Sequence, residues 1–399
     1  MGNVIAALDI GTQNATLLAG EYENGKLSQL HCVTEPSRGV KKGVIRDIRL
    51  VAETIQNLRK RMYDLHDVEI YDVVASFSAG EVQTVVRTGR KMLMPQHVID
   101  ENDMSEAEEN AQASIDSAGT NIHLQSFRQK YEVSGQPVST PIGMCGEELI
   151  CNILEITAPR TALDALRSAV HRAGLRLQEI IYSGVAQAEA VLDRKSRESG
   201  TLIIDIGAGT CDYIALCNSV IVSAGTLAVG GAHLTNDLAL AFKIMQNPAE
   251  DMKLARGSAM LQPEAAKDRY TVRTQFSTDD RTVSVHAIQT VTTERIDELF
   301  RILRSILSEN QTLANIRGGI ILTGGTAALP LIAEQAQAIF EMPCALGVPI
   351  NVTQYPDDMA AAPFRYATAI GLLNYRARNL GEDDAPLTLL RRLTNFFRG

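Results

Sequence analysis

Two stretches, roughly two hundred residues apart, each pair an aspartate with a glycine-bearing turn. The first reads Val4-Ile5-Ala6-Ala7-Leu8-Asp9-Ile10-Gly11-Thr12. The second reads Thr201-Leu202-Ile203-Ile204-Asp205-Ile206-Gly207-Ala208-Gly209-Thr210-Cys211-Asp212. Each is a short apolar run ending in Asp, a turn carrying Gly and Thr, and then a second apolar run. That pattern predicts a β-hairpin whose turn lets backbone N–H groups approach a phosphate, because glycine removes the Cβ. Gly11, Gly207, Ala208 and Gly209 provide the backbone, and Thr12, with Gln13 beside it, and Thr210 offer hydroxyl and amide contacts. An aspartate cannot touch phosphate without repulsion. Asp9 and Asp205 can instead hold a hydrated Mg²⁺, an ion that keeps most of its waters. Asp212, inside the second strand of its hairpin, reads as a structural hydrogen-bond acceptor. Two such hairpins facing each other would clamp a nucleoside triphosphate.

A third segment fits the same chemistry. Gly318-Gly319-Ile320-Ile321-Leu322-Thr323-Gly324-Gly325-Thr326 is a buried-strand pattern, a Gly-Gly turn, and the expected start of a helix. At such a junction a flat base can lie against backbone with no Cβ in the way. A plain strand-to-helix turn is the alternative.

The three segments, in this order, resemble the phosphate-1, phosphate-2 and adenosine motifs of the actin/Hsp70/sugar-kinase ATPase superfamily. Within it the chain is most similar to the FtsA family of bacterial cell-division proteins. Pro36 to Asp47, Ala249-Glu250-Asp251-Met252-Lys253 and the last residues, Pro386 to Gly399, carry that similarity over almost the whole length. The resemblance implies an α/β, actin-like duplicated fold whose two domains flank a nucleotide cleft, with ATP and Mg²⁺ as cofactors. It puts Gly231, Glu250 and Lys253 near the ribose or base and Gly324, Gly325 and Thr326 around the adenine, and it implies a secondary place near the phosphates for Asp212. An exposed i,i+3 ion pair is the other reading of Glu250 and Lys253. It implies subdomain 1A in 1–80, 161–199 and 363–378, an inserted subdomain 1C in 81–160, 2A in 200–226 and 305–362, and 2B in 227–304. A linker at 379–385 and an amphipathic helix at 386–399 complete the plan.

The implied partners are the FtsZ C-terminal tail, further copies of the chain in filaments, later divisome membrane proteins and an anionic lipid membrane. The implied place is the cytoplasmic face of the inner membrane at the division site. Arg295 and Arg301 are candidates for an acidic partner tail, a solvated helix face being the alternative for each. One departure bears on turnover. Hsp70-like relatives carry an acidic residue, which positions the attacking water, where this chain has Ser183. Gln187 reads as a water-positioning group or as a helix-surface residue, so weak or absent hydrolysis is expected. A small-molecule kinase would need an acidic general base for its acceptor, and no acceptor motif is visible. A pilus-assembly relative would share the fold but lack the tail.

Composition agrees with this class. The 399 residues exceed one core and predict two or more domains. A net charge of −9 argues against nucleic acid as a partner. Six cysteines form no CxxC pair and the seven histidines no HxxxH, so free thiols and no zinc site are expected. No signal peptide is visible at the start and no apolar run reaches the ~20 residues of a membrane span, so a cytoplasmic body is expected.

Periodicity fills in the elements. Ala15–Glu21 and Lys26–Val33 extend the first hairpin, and Ile48–Tyr63 has helical spacing. Ile70–Phe77 reads as a buried strand. An α+β insertion from about Glu81 to Pro159 includes an acidic helix over Met104–Ile115. Helices are expected over Thr161–Ala173, Val185–Leu192, Gly230–Phe242, Ile296–Leu307 and Tyr366–Tyr375, and alternating strands over Thr271–Phe276 and Thr282–Ala287.

The tail makes the sharpest statement. From Pro386 onward it holds no acidic residue, and at ~100° per residue Leu389, Leu390, Leu393, Phe396 and Phe397 fall within about 120° of arc. Arg391, Arg392 and Arg398 lie outside that arc. Such a helix can sink into a headgroup boundary and attract anionic lipid, or it can dock on the body. Burying each large apolar residue contributes on the order of 1 kcal/mol or more. Each arginine adds up to about 1 kcal/mol that falls with salt. Phe396→Glu, or truncation after Ala385, is therefore expected to release the protein from anionic liposomes in co-sedimentation. A truncated chain that pelleted as well as the full one would make the tail a docked element instead.

Overall fold

The structure, a computed structural model, describes residues 4–113, 120–272 and 281–379. The linker beyond Asn379, the amphipathic tail, the end of the acidic helix and the Asp279-Asp280 turn all lie outside the described residues.

Two five-stranded sheets share one topology. The first runs Arg176–Tyr182, Asp72–Phe77, Val4–Ile10, Asn14–Glu23, Lys26–Pro36; the second runs Val220–Leu227, Cys211–Cys217, Thr201–Ile206, Ile320–Thr323, Cys344–Leu346. Each is a three-strand antiparallel meander with two parallel strands added beside its first strand. Apart from Thr201 and the aspartates near their ends, the central strands are apolar, as expected of strands covered on both faces. Leu202, Ile203, Ile204 and Ile206 are buried, as are Ala7 and Leu8. This duplicated α/β plan is the one expected from the paired hairpins.

Between the fourth and fifth strands of the first sheet comes a separate four-stranded sheet. Its order is Gln83–Met92, Glu148–Pro159, Asn121–Val133, Gln136–Val138, with helix Glu101–Ala113 packed on it. It has a core of its own around Tyr131, Leu149 and Ile153. It also reaches the second sheet: Gln129 Nε2 donates to Ile221 O at 2.9 Å and Thr84 Oγ1 to Ala224 O at 3.2 Å. Helices Gly231–Phe242, Gln246–Arg256 and Val285–Glu309 leave the second sheet between its third and fourth strands.

Helix Ile48–His66 begins where Asp47 accepts from Leu50 N–H at 3.0 Å, and it buries Val51, Ile55, Leu58 and Met62 at i, i+3, i+4 spacing. Two expectations need correction. The strand expected over Thr282–Ala287 ends at Ser284, and helix Val285–Glu309 starts eleven residues before Ile296. Val283, Val285 and Ala287 alternate, but Val285, Ile288, Gln289 and Thr292 also form a buried helical stripe, which wins because it packs. Likewise the Gly-Gly turn leads first into a 3₁₀ turn, Gly325–Ala328, and the α-helix waits until Ile332–Phe340. Among the described residues no helix is long and apolar enough to cross a membrane.

The last helix, Ala367–Asn379, returns to the first domain and packs against helix Ser183–Val191. The contact is backbone to backbone: a Cβ at Gly371 would overlap the Ala186 carbonyl. Gly371→Val is expected to lower stability by about 3 kcal/mol or more, since backbone cannot step aside as a flexible side chain can. Denaturant unfolding with an unchanged midpoint would show that these helices separate freely.

Candidate functional site

The strand ends deliver three carboxylates to one place. In the second hairpin Asp205 and Asp212 are cross-strand partners, so their side chains emerge on the same face. Asp9, at the matching position of the first hairpin, faces them. Asp212 feels the charge of Asp9, and Asp205 that of both Asp212 and Asp9. Hydroxyls hold each one. Ser76 Oγ donates to Asp9 at 2.6 Å and Thr323 Oγ1 to Asp205 at 3.0 Å; Ser78 Oγ and Thr226 Oγ1 donate to Asp212 at 2.8 and 2.5 Å. Burial first, then mutual repulsion, pushes the Asp205 carboxyl up to about 7. Burial with the Asp9 charge takes Asp212 to about 6, against its hydroxyl donors, and burial raises Asp9 as well.

Oxygen donors of this kind suit a hard, hydrated divalent cation. Among the described residues no group of three or more His, Cys, Asp or Glu can ligate one ion directly.

The two turns touch. A Cβ on Gly209 would overlap the Thr12 hydroxyl and lie 2.9 Å from Lys42 Cα, so only glycine lets the hairpins approach this closely. Thr12 Oγ1 accepts from Gly43 N–H at 3.0 Å, and Thr210 Oγ1 is 3.1 Å from Ser78 Oγ. Gln13 is exposed at the tip of its turn.

On the other side of the second turn the remaining candidates assemble. Gly231 N and Ala232 N donate to Gly207 O and Ala208 O at 2.9 and 2.8 Å, so helix Gly231–Phe242 begins against the turn itself. Thr326 Oγ1 donates to Gly207 O at 2.9 Å. Lys253 Nζ donates to Gly231 O at 3.1 Å, Thr235 Oγ1 at 2.9 Å and Glu250 Oε2 at 2.7 Å; Thr235 also bonds Glu250. Glu250 and Lys253 are thus a partly buried cluster against Gly231, not an exposed helix pair. Gly324 adopts φ 90°, and a Cβ there would meet Asp205 Oδ1 at 2.5 Å, while Gly325 faces open space.

Gln187 is fully buried, which removes the helix-surface reading. Its amide donates to Thr368 Oγ1 at 3.0 Å, and it also bonds Asp205. Ser183 Oγ donates to Phe77 O at 3.1 Å. Arg295 and Arg301 lie apart from this site, on helix Val285–Glu309. Arg295 is held by Asp237 at 2.6 and 3.0 Å and by Glu298, and lines a groove of about 520 Å³ with Asp237, Leu240, Val291 and Glu294. Arg301 is exposed and paired with Asp297. Ser76, Ser78, Thr226 and Thr323 were not singled out from the sequence. The signal available was a Ser or Thr at the end of each strand that neighbours an aspartate.

A family model described as "Cell division protein FtsA" matches residues 202–371. "Cell division protein FtsA" of Pseudomonas aeruginosa is 30% identical over 376 residues, covering 94% of this chain and 89% of that protein. This chain belongs to the FtsA family. The Escherichia coli K12 protein of the same name is 26% identical, with 93% and 90% covered. Among solved structures, the "PilM-PilN type IV pilus biogenesis complex" aligns at TM-score 0.64 and 17% identity over 94% of this chain and 98% of that one. MreB5 of Spiroplasma citri bound to ADP aligns at 0.57 and 16% over 95% and 99%. These likenesses fix an actin-like fold. FtsA relatives along nearly the whole chain favour a role in cell division at the division site, over pilus assembly or a small-molecule kinase.

The carboxylate cluster has a consequence for pH. A carboxyl whose folded value is raised binds its proton more tightly folded than unfolded. It favours folding most below its unfolded value near 4, and that contribution is lost as pH rises through about 6 to 7. Asp205→Asn and Asp212→Asn should therefore gain stability relative to the unsubstituted protein, in the absence of added divalent cation, as pH rises from about 4 to 8. Denaturation midpoints that keep a constant offset across that range would mean the carboxylates are not in conflict.

Proposed function

We propose that this FtsA-family chain is an actin-like scaffold of division that binds ATP with Mg²⁺ between its two hairpins. It polymerises on the cytoplasmic face of the inner membrane, tethers FtsZ and recruits later divisome membrane proteins. The observation that carries the nucleotide reading is the convergence of Asp9, Asp205 and Asp212 beneath two touching Gly/Thr turns. Three crowded carboxylates are unfavourable without a cation; Asp9 and Asp205 would hold a hydrated Mg²⁺ through its waters, and the ion would supply the positive charge the site lacks. Thr12, Thr210 and the amides of Gly11, Gly207, Ala208 and Gly209 would then meet the phosphates. Glu250, Lys253 and Gly231 would meet the ribose, and Gly324, Gly325 and Thr326 the base. Bound Mg²⁺ supplies charge neutralisation at the phosphates.

Turnover is slow in this reading. Gln187 is fully buried, with its Nε2 donating to Thr368 and its Oε1 without a hydrogen-bond partner among the described residues, and Ser183 offers no carboxylate. The scaffold divides as 1A, 1C, 2A and 2B over the ranges read from the sequence. Docking of an acidic partner tail on 2B rests on the family resemblance; the groove beside Arg295 is itself lined by Asp237, Glu294 and Glu298, and Arg295 would have to exchange Asp237 and Glu298 for the tail's carboxylates. The basic, Leu/Phe-faced terminus supports attachment to anionic lipid, and an array of such tails on a polymer gains avidity without new contacts.

Isothermal titration tests the nucleotide site. Asp9→Asn, which removes a cation-holding charge, and Gly207→Val, whose side chain would start 3.1 Å from Thr210 O, should each weaken Mg·ATP binding by about tenfold or more. Unchanged affinity in both would remove the assignment.

A further inference from the structure

The segment between Gly39 and Asp47 forms a miniature hairpin whose tip projects between the two phosphate turns. Strands Val40–Lys41 and Val44–Ile45 pair antiparallel, leaving Lys42 and Gly43 as a two-residue turn. Both have positive φ, 52° and 74°, the conformation of a type I′ turn. Gly suits the second position. The first is normally Asn, Asp or Gly, and a long side chain there is uncommon. A residue kept in an unfavourable backbone region argues for a use of its side chain.

Its surroundings say what that use is. Lys42 Cα lies 2.9 Å from where a Cβ of Gly209 would stand, and the Gly43 amide donates to Thr12 Oγ1 at 3.0 Å. The tip thus touches the turns of both hairpins at once. Across the cleft its charge reaches His233, on the helix that starts against Gly207. Burial first, and the Lys42 charge next, holds that imidazole below its usual value. Lys253 is committed to Glu250, whereas Lys42 is exposed and has no ion-pair partner among the described residues. An unpaired lysine on a tip that touches both turns is available to an anion bound between them.

We propose that Lys42 is a phosphate-contacting residue, whose ammonium binds the polyphosphate chain of the nucleotide and completes the site from the third side. This rests on the nucleotide reading above and adds to it a residue outside both hairpins. Lys42 comes from the first domain and Thr210 and His233 from the second, so a bound polyphosphate would be gripped from both.

The test uses the full chain, Mg·ATP titration and two variants. Lys42→Asn removes the charge but suits the turn, since Asn tolerates positive φ. Lys42→Arg keeps the charge and the same backbone demand. The expected result is about tenfold weaker Mg·ATP binding for Lys42→Asn, with Lys42→Arg within about twofold of the unsubstituted protein. Thermal midpoints measured without nucleotide should show Lys42→Asn no less stable. Equal affinities in all three proteins would overturn the inference while leaving the nucleotide site intact, and so would equal losses in both variants. An unsubstituted chain that bound no Mg·ATP would overturn the nucleotide reading, and this inference with it.

Discussion

Three carboxylates share one desolvated corner, and much of the molecule's architecture can be understood as the means of keeping them there. Asp205 and Asp212 face each other because hairpin register makes them cross-strand partners. Asp9 arrives from the other domain because the duplicated topology presents the equivalent strand end. Left alone, charges this close would push their strands apart or take up protons. Four hydroxyls oppose that outcome. Each comes from a strand beside an aspartate: Ser76 and Ser78 at the end of the first sheet's fourth strand, Thr323 in the second sheet's fourth, and Thr226 in its third. The cost of this corner is local and electrostatic, and the apolar strands behind it supply the rigidity that sustains it.

Close approach is the second constraint, and it follows from the first. For the carboxylates to meet, the two turns must touch, and Gly209 makes that contact possible against Thr12. Behind the site, within the first domain, Gly371 lets the last helix lie on the Ala186 carbonyl. Between these two contacts runs a buried polar path: Asp205 to Gln187, Gln187 to Thr368 on the last helix, and Asn374 Nδ2 to Glu189 O at 3.3 Å. Buried polar groups of this kind specify one alignment of helices, because a shifted register would strand them without partners.

The hairpins, their order and the duplicated α/β plan were legible in the sequence because each rests on local rules: apolar runs of strand length, glycine at turns, aspartate at strand ends. The insertion was legible as a change of character along the chain. What escaped was set by tertiary partners. Val283 to Ala287 satisfies a strand period and a helix period at once, and only the packing of Val285 and Ile288 decides between them. Gln187 sits on a short helix buried on every side, so no amphipathic pattern distinguished its inner face. Glu250 and Lys253 have the spacing of a solvated ion pair. Their burial comes from Gly231 and Thr235, 15 to 22 residues away. The hydroxyls around the aspartates are common residues whose meaning appears only once neighbouring strands are aligned.

The same corner links fold to function. A ligand that brought a divalent cation, as proposed here, would bind the folded chain and find nothing equivalent in the unfolded one, so it would add stability by mass action. It also removes the repulsion that the hydroxyls only moderate, so the free energy released is greatest where the apo protein is most strained. That strain is shared between the domains, since Asp9 belongs to one hairpin and Asp205 and Asp212 to the other. Relief on binding therefore favours closure of one domain on the other, not the tightening of either alone. In the proposed scaffold, closure is the variable that a bound nucleotide would set without being hydrolysed. Three carboxylates divided between the two hairpins are suited to that role.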